Sequence, residues 1–92
     1  MSQVVVTLRI MPQNPGIDLS RLESEAKKEI IRFCSSQEFK IKIEPIAFGL
    51  NALDILFVMD ESKGSTEALE QKISQIDNVE SVEVTDVRRA IG

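Results

Sequence analysis

The sequence predicts an α+β domain of order β-α-β-β-α-β, and three observations carry that prediction. Apolar residues recur at every second position in four segments of the 92-residue chain. In two other segments, one after the first and one before the last of these, they recur at every third or fourth position. Stretches rich in proline, glycine or serine interrupt the pattern at Pro12–Gly16, Pro45–Gly49 and Lys63–Ser65.

The first strand places Val4, Val6, Leu8 and Ile10 on one face, alternating with Gln3, Val5, Thr7 and Arg9. Pro12-Gln13-Asn14-Pro15-Gly16 ends it, because proline removes a ladder donor and glycine frees the backbone. Asp18 is a good N-cap for a helix beginning near Leu19, whose apolar stripe runs through Leu22, Ala26, Ile30 and Phe33. Glu23 and Lys27 lie at helical spacing on the other face, Ser35-Ser36 ends the helix, and Cys34 reads as a small apolar residue near its end.

Phe39, Ile41 and Ile43 alternate with Lys40, Lys42 and Glu44 in a second strand. Leu50 to Met59 forms a third, with Leu53, Ile55, Phe57 and Met59 on one face. Its other face also carries Leu56 and Val58, which argues for a central strand. A second helix, from Ser65 or Thr66 to Asp77, turns Leu69, Ile73 and Ile76 inward. Asp77-Asn78 stops it, and Val79 to Val87 forms the fourth strand with Val82 and Val84 toward the core. Right-handed crossovers then put both helices on one face of a four-stranded antiparallel sheet, the ferredoxin-like arrangement. The open face is expected to carry Val5, Thr7, Arg9, Lys40, Lys42, Glu83 and Thr85. No linker divides the chain, so residues 1–92 are expected to form a single domain.

Composition narrows the function. Histidine, tryptophan and tyrosine are absent and there is one cysteine, Cys34. Imidazole base catalysis, the common nucleophilic triads and nearly every zinc site are thereby excluded. An internal disulfide is impossible, and a reducing cytoplasm is the expected compartment. No apolar run approaches the roughly 20 residues of a membrane span. The net charge is −4, and between Asp60 and Asp86 eight acids face two lysines. A nucleic-acid binder needs a basic stripe or exposed aromatic residues on the central strands, and neither is present. One cysteine does not make a Cys-x-x-Cys metal loop, and Met11 to Gly16 is not a glycine-rich phosphate cradle. The chain reads as one that binds something and needs no cofactor of its own.

Two segments break the patterning rules. Glu44-Pro45-Ile46-Ala47-Phe48-Gly49-Leu50 should be a polar hairpin connection, yet it is largely apolar. Either Ile46 and Phe48 fold over the sheet end as a lid, or Gly49 permits a turn that presents the Phe48 ring as a binding anchor. The tail from Thr85 to Gly92 brings Arg88 and Arg89 after an acidic stretch. It is either a solvated, frayed terminus or a cationic contact for a partner's phosphates or carboxylates.

Pro45-Ile46-Ala47-Phe48-Gly49-Leu50 and Val84-Thr85-Asp86-Val87-Arg88-Arg89, with Ile10-Met11-Pro12, resemble the elongation factor 1-beta family in its short archaeal form. The resemblance covers essentially the whole chain, and the family's fold is the ferredoxin-like one. It implies exchange of GDP for GTP on elongation factor 1-alpha, the GTPase that delivers aminoacyl-tRNA to the ribosome. In that family the domain disturbs the magnesium and phosphate end of the partner's nucleotide site. The loop phenylalanine contacts the GTPase, a role that falls on Phe48, with Ile46, Ala47 and Gly49 shaping the loop. Eukaryotic relatives carry a near-terminal lysine that reaches toward the magnesium site, and here no lysine follows Val87. Arg88 or Arg89 takes that role, or Phe48 and backbone act without it. The nucleotide belongs to the partner, and no direct nucleic-acid or membrane contact is implied. A regulatory module of the same strand order, binding small ligands, is the alternative. An enzyme whose clustered acids hold a divalent ion comes last.

Overall fold

The structure is a computed structural model, and it describes residues 2–90. Ile91 and Gly92, the end of the expected cationic tail, lie outside the described residues. Strand β1 spans Gln3–Pro12, helix α1 Leu19–Cys34, β2 Phe39–Pro45, β3 Asn51–Asp60, helix α2 Glu67–Ser74 and β4 Val79–Arg89. A short 3₁₀ turn, Glu61–Lys63, leads from β3 toward α2. All pairings are antiparallel, in the order β2-β3-β1-β4. The predicted α+β ferredoxin-like arrangement is present, with β3 central.

Period-2 alternation does the sorting. Val4, Val6, Leu8 and Ile10 of β1 and Leu53, Ile55, Phe57 and Met59 of β3 are buried, against Leu22, Ala26 and Ile30 of α1 and Leu69 and Ile73 of α2. Asp18 caps α1, accepting from the Ser20 backbone N–H at 3.0 Å and its hydroxyl at 2.7 Å. These two donors hold the Asp18 carboxyl below its ordinary range. At the other end Ser35 adopts a left-handed conformation (φ 58°), and its N–H reaches the Ile31 carbonyl at 2.8 Å. Cys34 is the last residue of α1 and is half-buried. Its thiol faces the Ile30 carbonyl at 3.4 Å.

Several boundaries shift by a residue from the sequence expectation, and two shift further. Helix α2 ends at Ser74 rather than Asp77, because the chain tightens into i→i+3 bonds from Gln75 to Lys72 and from Ile76 to Ile73. Ile76 still packs on the core. Strand β4 runs two residues beyond Val87, so Arg88 and Arg89 are paired strand residues opposite Val5 and Val4, not a frayed end.

A bulge in β4 governs where those arginines point. Val84 pairs with Leu8 and Asp86 with Thr7, which leaves Thr85 as an extra residue. Before it, Val82 and Val84 face the helices. Beyond it the parity reverses: Val87 and Arg89 lie opposite core-facing Val6 and Val4, whereas Asp86 and Arg88 lie opposite open-face Thr7 and Val5. Thr85 is exposed, and the alternation along the strand shifts after it.

The open face carries a charged row, of which the sequence placed Arg9, Lys42 and Glu83 but not Asp54. Lys42, Asp54, Arg9 and Glu83 lie directly opposite one another across all four strands, with alternating sign. Asp54 is 5% exposed and receives both prongs of the Arg9 fork, at 2.8 and 2.9 Å. The hydrogen bond to Asp54 is the main reason the Arg9 guanidinium holds its proton more tightly than usual.

Candidate functional site: an exposed aromatic turn and a cationic strand end

The β2–β3 hairpin closes with two backbone bonds, Ile46 N–H to the Leu50 carbonyl and Leu50 N–H to the Ala47 carbonyl, both 2.9 Å. Phe48 and Gly49 are the central residues of that last turn, and both are left-handed (φ 54° and 78°). A type I′ turn demands this of both, because only then does the turn match the twist of its strands. Glycine meets the demand freely; phenylalanine does so against the clash of Cβ with the following carbonyl.

The ring gains no packing in return. Phe48 is 96% exposed and Ile46 46%. The lid alternative is overturned, and the sheet end closes without these side chains. The turn holds an aromatic ring in solvent at a backbone cost that burial of the ring does not offset. Gly49 backs onto the β1–α1 connection, where a Cβ on it would lie 3.8 Å from the Pro15 ring.

The cationic residues are elsewhere. Arg88 is opposite Val5 near the start of β1, whereas the Phe48 turn lies past Pro45 and Asn51, beyond the partner of Ile10. At about 3.3 Å per strand residue the two ends are more than roughly 20 Å apart. Arg88 and Arg89 also address opposite faces. Arg88 pairs with its neighbour Asp86 at 2.9 Å on the open face, beside Leu56 and Thr7. Arg89 reaches Glu61 of the 3₁₀ turn at 3.0 Å. Among the described residues no group of three or more acidic or cysteine side chains is arranged to hold a metal ion. No helix among the described residues is long and apolar enough to cross a membrane.

Residues 5–90 match the EF-1 guanine nucleotide exchange domain. The chain belongs to that family. The exchange domain is 44% identical to elongation factor 1-beta of Methanothermobacter thermautotrophicus, over 97% of this chain and 98% of the relative. It is 43% identical to elongation factor 1-beta of Methanosphaera stadtmanae, again over 97% and 98%. A de novo designed protein, Foldit4, shares the fold at TM-score 0.61 and 23% identity, with 98% of each chain covered. The role implied by the resemblance, nucleotide exchange in translation elongation, is the role of this family.

Proposed function

We propose that the protein releases GDP from elongation factor 1-alpha, working as one exchange domain in the cytoplasm, and that the Phe48 turn is its principal contact. The observation that carries this is the fully solvated Phe48 ring on a left-handed turn. Ile46, Ala47 and Gly49 set the shape of the turn. Arg88 or Arg89 supplies a second, separate contact at the other end of the sheet.

The chemistry asked of the protein is modest. GDP is held in such GTPases largely by magnesium and by backbone amides around its phosphates. A partner that binds better once those contacts are broken must weaken GDP reciprocally, since linkage is symmetric. No bond is made or cut, so no general base, cofactor or metal of the protein's own is required, and neither nucleic acid nor membrane is touched. A coupling of about 3 kcal/mol gives about 150-fold, and two anchors more than roughly 20 Å apart supply differential affinity beyond what one side chain provides. Because Arg88 and Arg89 face opposite sides of the sheet, a single partner surface meets one of them.

The test is release of fluorescent GDP from elongation factor 1-alpha by catalytic amounts of the protein. Acceleration is expected, and its absence refutes the reading. Arg88→Ala and Arg89→Ala, made separately, should differ in rate; equal, unchanged rates remove the strand end from the site.

A further inference from the structure

The open face of the sheet is uneven along its strands. Its middle row, Lys42, Asp54, Arg9 and Glu83, alternates in sign, and the Arg9–Asp54 fork closes it on itself. The two rows nearer the start of β1 are of another kind. Lys40, Leu56, Thr7 and Asp86 lie opposite one another in the first, and Val58, Val5 and Arg88 in the second. Val5, Thr7, Leu56 and Val58 are only half-buried, and both helices pack on the opposite face. They form an apolar platform with an exposed cation at each side, Lys40 on β2 and Arg88 on β4. Two shallow hollows, of about 220 and 740 Å³, lie over it and share Val5 and Leu56.

We infer that elongation factor 1-alpha docks on this platform with an apolar side chain flanked by carboxylates, and that Arg88 rather than Arg89 is the cation it meets. The inference rests on the exchange reading above, which it deepens. Charge and apolar area together select the occupant. The chain as a whole carries −4, yet lysine and arginine border the platform, so an acidic surface is the one it attracts. Covering Val5, Leu56 and Val58 removes apolar area from water and desolvates Arg88 at the same time, where an ion pair counts for more. Arg88 is placed to make that pair. Its side chain is 80% exposed and meets Asp86, two residues back on its own strand, through Nε at 2.9 Å. The terminal nitrogens of its fork are left for a second carboxylate. Arg89 also borders the larger hollow, but its guanidinium crosses to Glu61 at 3.0 Å. Glu61 is tied in turn to the start of the chain, its N–H donating to the Ser2 carbonyl at 2.9 Å. Arg89 is thereby committed to holding the end of β4 on the 3₁₀ turn.

Three substitutions and one control test it. Leu56→Thr keeps a strand former on the face while removing most of its apolar contact. Lys40→Glu and Arg88→Gln alter exposed charge alone. Each should raise the concentration needed for half-maximal GDP release by about three- to ten-fold, whereas Arg89→Ala should stay within about two-fold of the wild type. The Lys40→Glu loss should shrink as salt is raised, because that charge sits at the rim, and the Leu56→Thr loss should not. If the wild type accelerates release and all three variants match it, the inference is overturned and the exchange reading stands. A larger loss in Arg89→Ala than in Arg88→Gln also overturns it. If the wild type does not accelerate release, the exchange reading itself fails. The backbone amide resonances of Val5, Leu56 and Val58 in the unsubstituted protein then decide the platform independently. They shift on addition of GDP-loaded elongation factor 1-alpha if it docks there, and unmoved resonances refute the docking.

Discussion

Replacing Phe48 with asparagine should make the protein more stable while removing most of its exchange activity. The ring is 96% exposed, so its loss forfeits almost no burial. The backbone term has the opposite sign. A left-handed conformation costs an ordinary L-residue roughly 1–2 kcal/mol, and asparagine escapes much of that through its short polar side chain. Phe48→Asn also places the preferred residue of a type I′ turn before Gly49. A gain of about 1 kcal/mol follows, which for a domain of this size raises Tm by about 4–8 °C. Binding moves the other way: burying a phenylalanine ring on a partner is worth about 2 kcal/mol, or about thirty-fold in apparent affinity. Thermal unfolding and GDP release measured on one preparation give both numbers. A fall in Tm of several degrees would mean the ring packs on this chain after all. A stabilised variant with undiminished exchange would mean the strained turn serves some other purpose.

Gly49→Ala should destabilise by about 1 kcal/mol through its positive φ, since Pro15 leaves room for the methyl group, and a urea midpoint measures it. In the Arg9–Asp54 pair the two truncations should be unequal. Arg9→Ala strands a carboxylate whose side chain is 7% exposed and should cost about 2–3 kcal/mol, whereas Asp54→Ala leaves a guanidinium 28% exposed to water and should cost nearer 1 kcal/mol. Equal costs in denaturant unfolding would contradict this. Asp18, with its carboxyl held low by Ser20, contributes stability that is fully present above the ordinary carboxylate range and is lost as pH falls through the lowered folded value. Asp18→Ala should therefore reduce stability at neutral pH and flatten its fall below about pH 4; an unchanged acid limb in unfolding measured against pH would dismiss the cap.

Much of the fold was legible because its signals are local. Alternation in Val4 to Ile10 and Leu53 to Met59, and three- and four-residue spacing from Leu22 to Ile30, need no distant residue to be read. Asp18 was readable as a cap for the same reason. The second helix was overdrawn because its last turn tightens around left-handed Asn78, and that conformation is held from elsewhere by Arg21 and Gln13. Asp54 was missed because a carboxylate in an apolar run is informative only once Arg9 is known to lie opposite it. The apolar β2–β3 connection stood out in the sequence, but the same residues fitted both a lid and an exposed anchor.

Sequence by itself determined the order of elements, the buried face of each strand, the absence of imidazole chemistry and the apolar segment that breaks the strand pattern. Tertiary structure alone decided what that segment presents. The hand of the Ala47–Leu50 turn is set by the twist of the strands it joins, and the hand turns Phe48 outward. It also decided that Arg88 and Arg89 face opposite ways, because one unpaired residue, Thr85, shifts the register against β1 and reverses every side chain after it. Alternation along a chain predicts a face only while the cross-strand register holds, and register is a property of two strands rather than one.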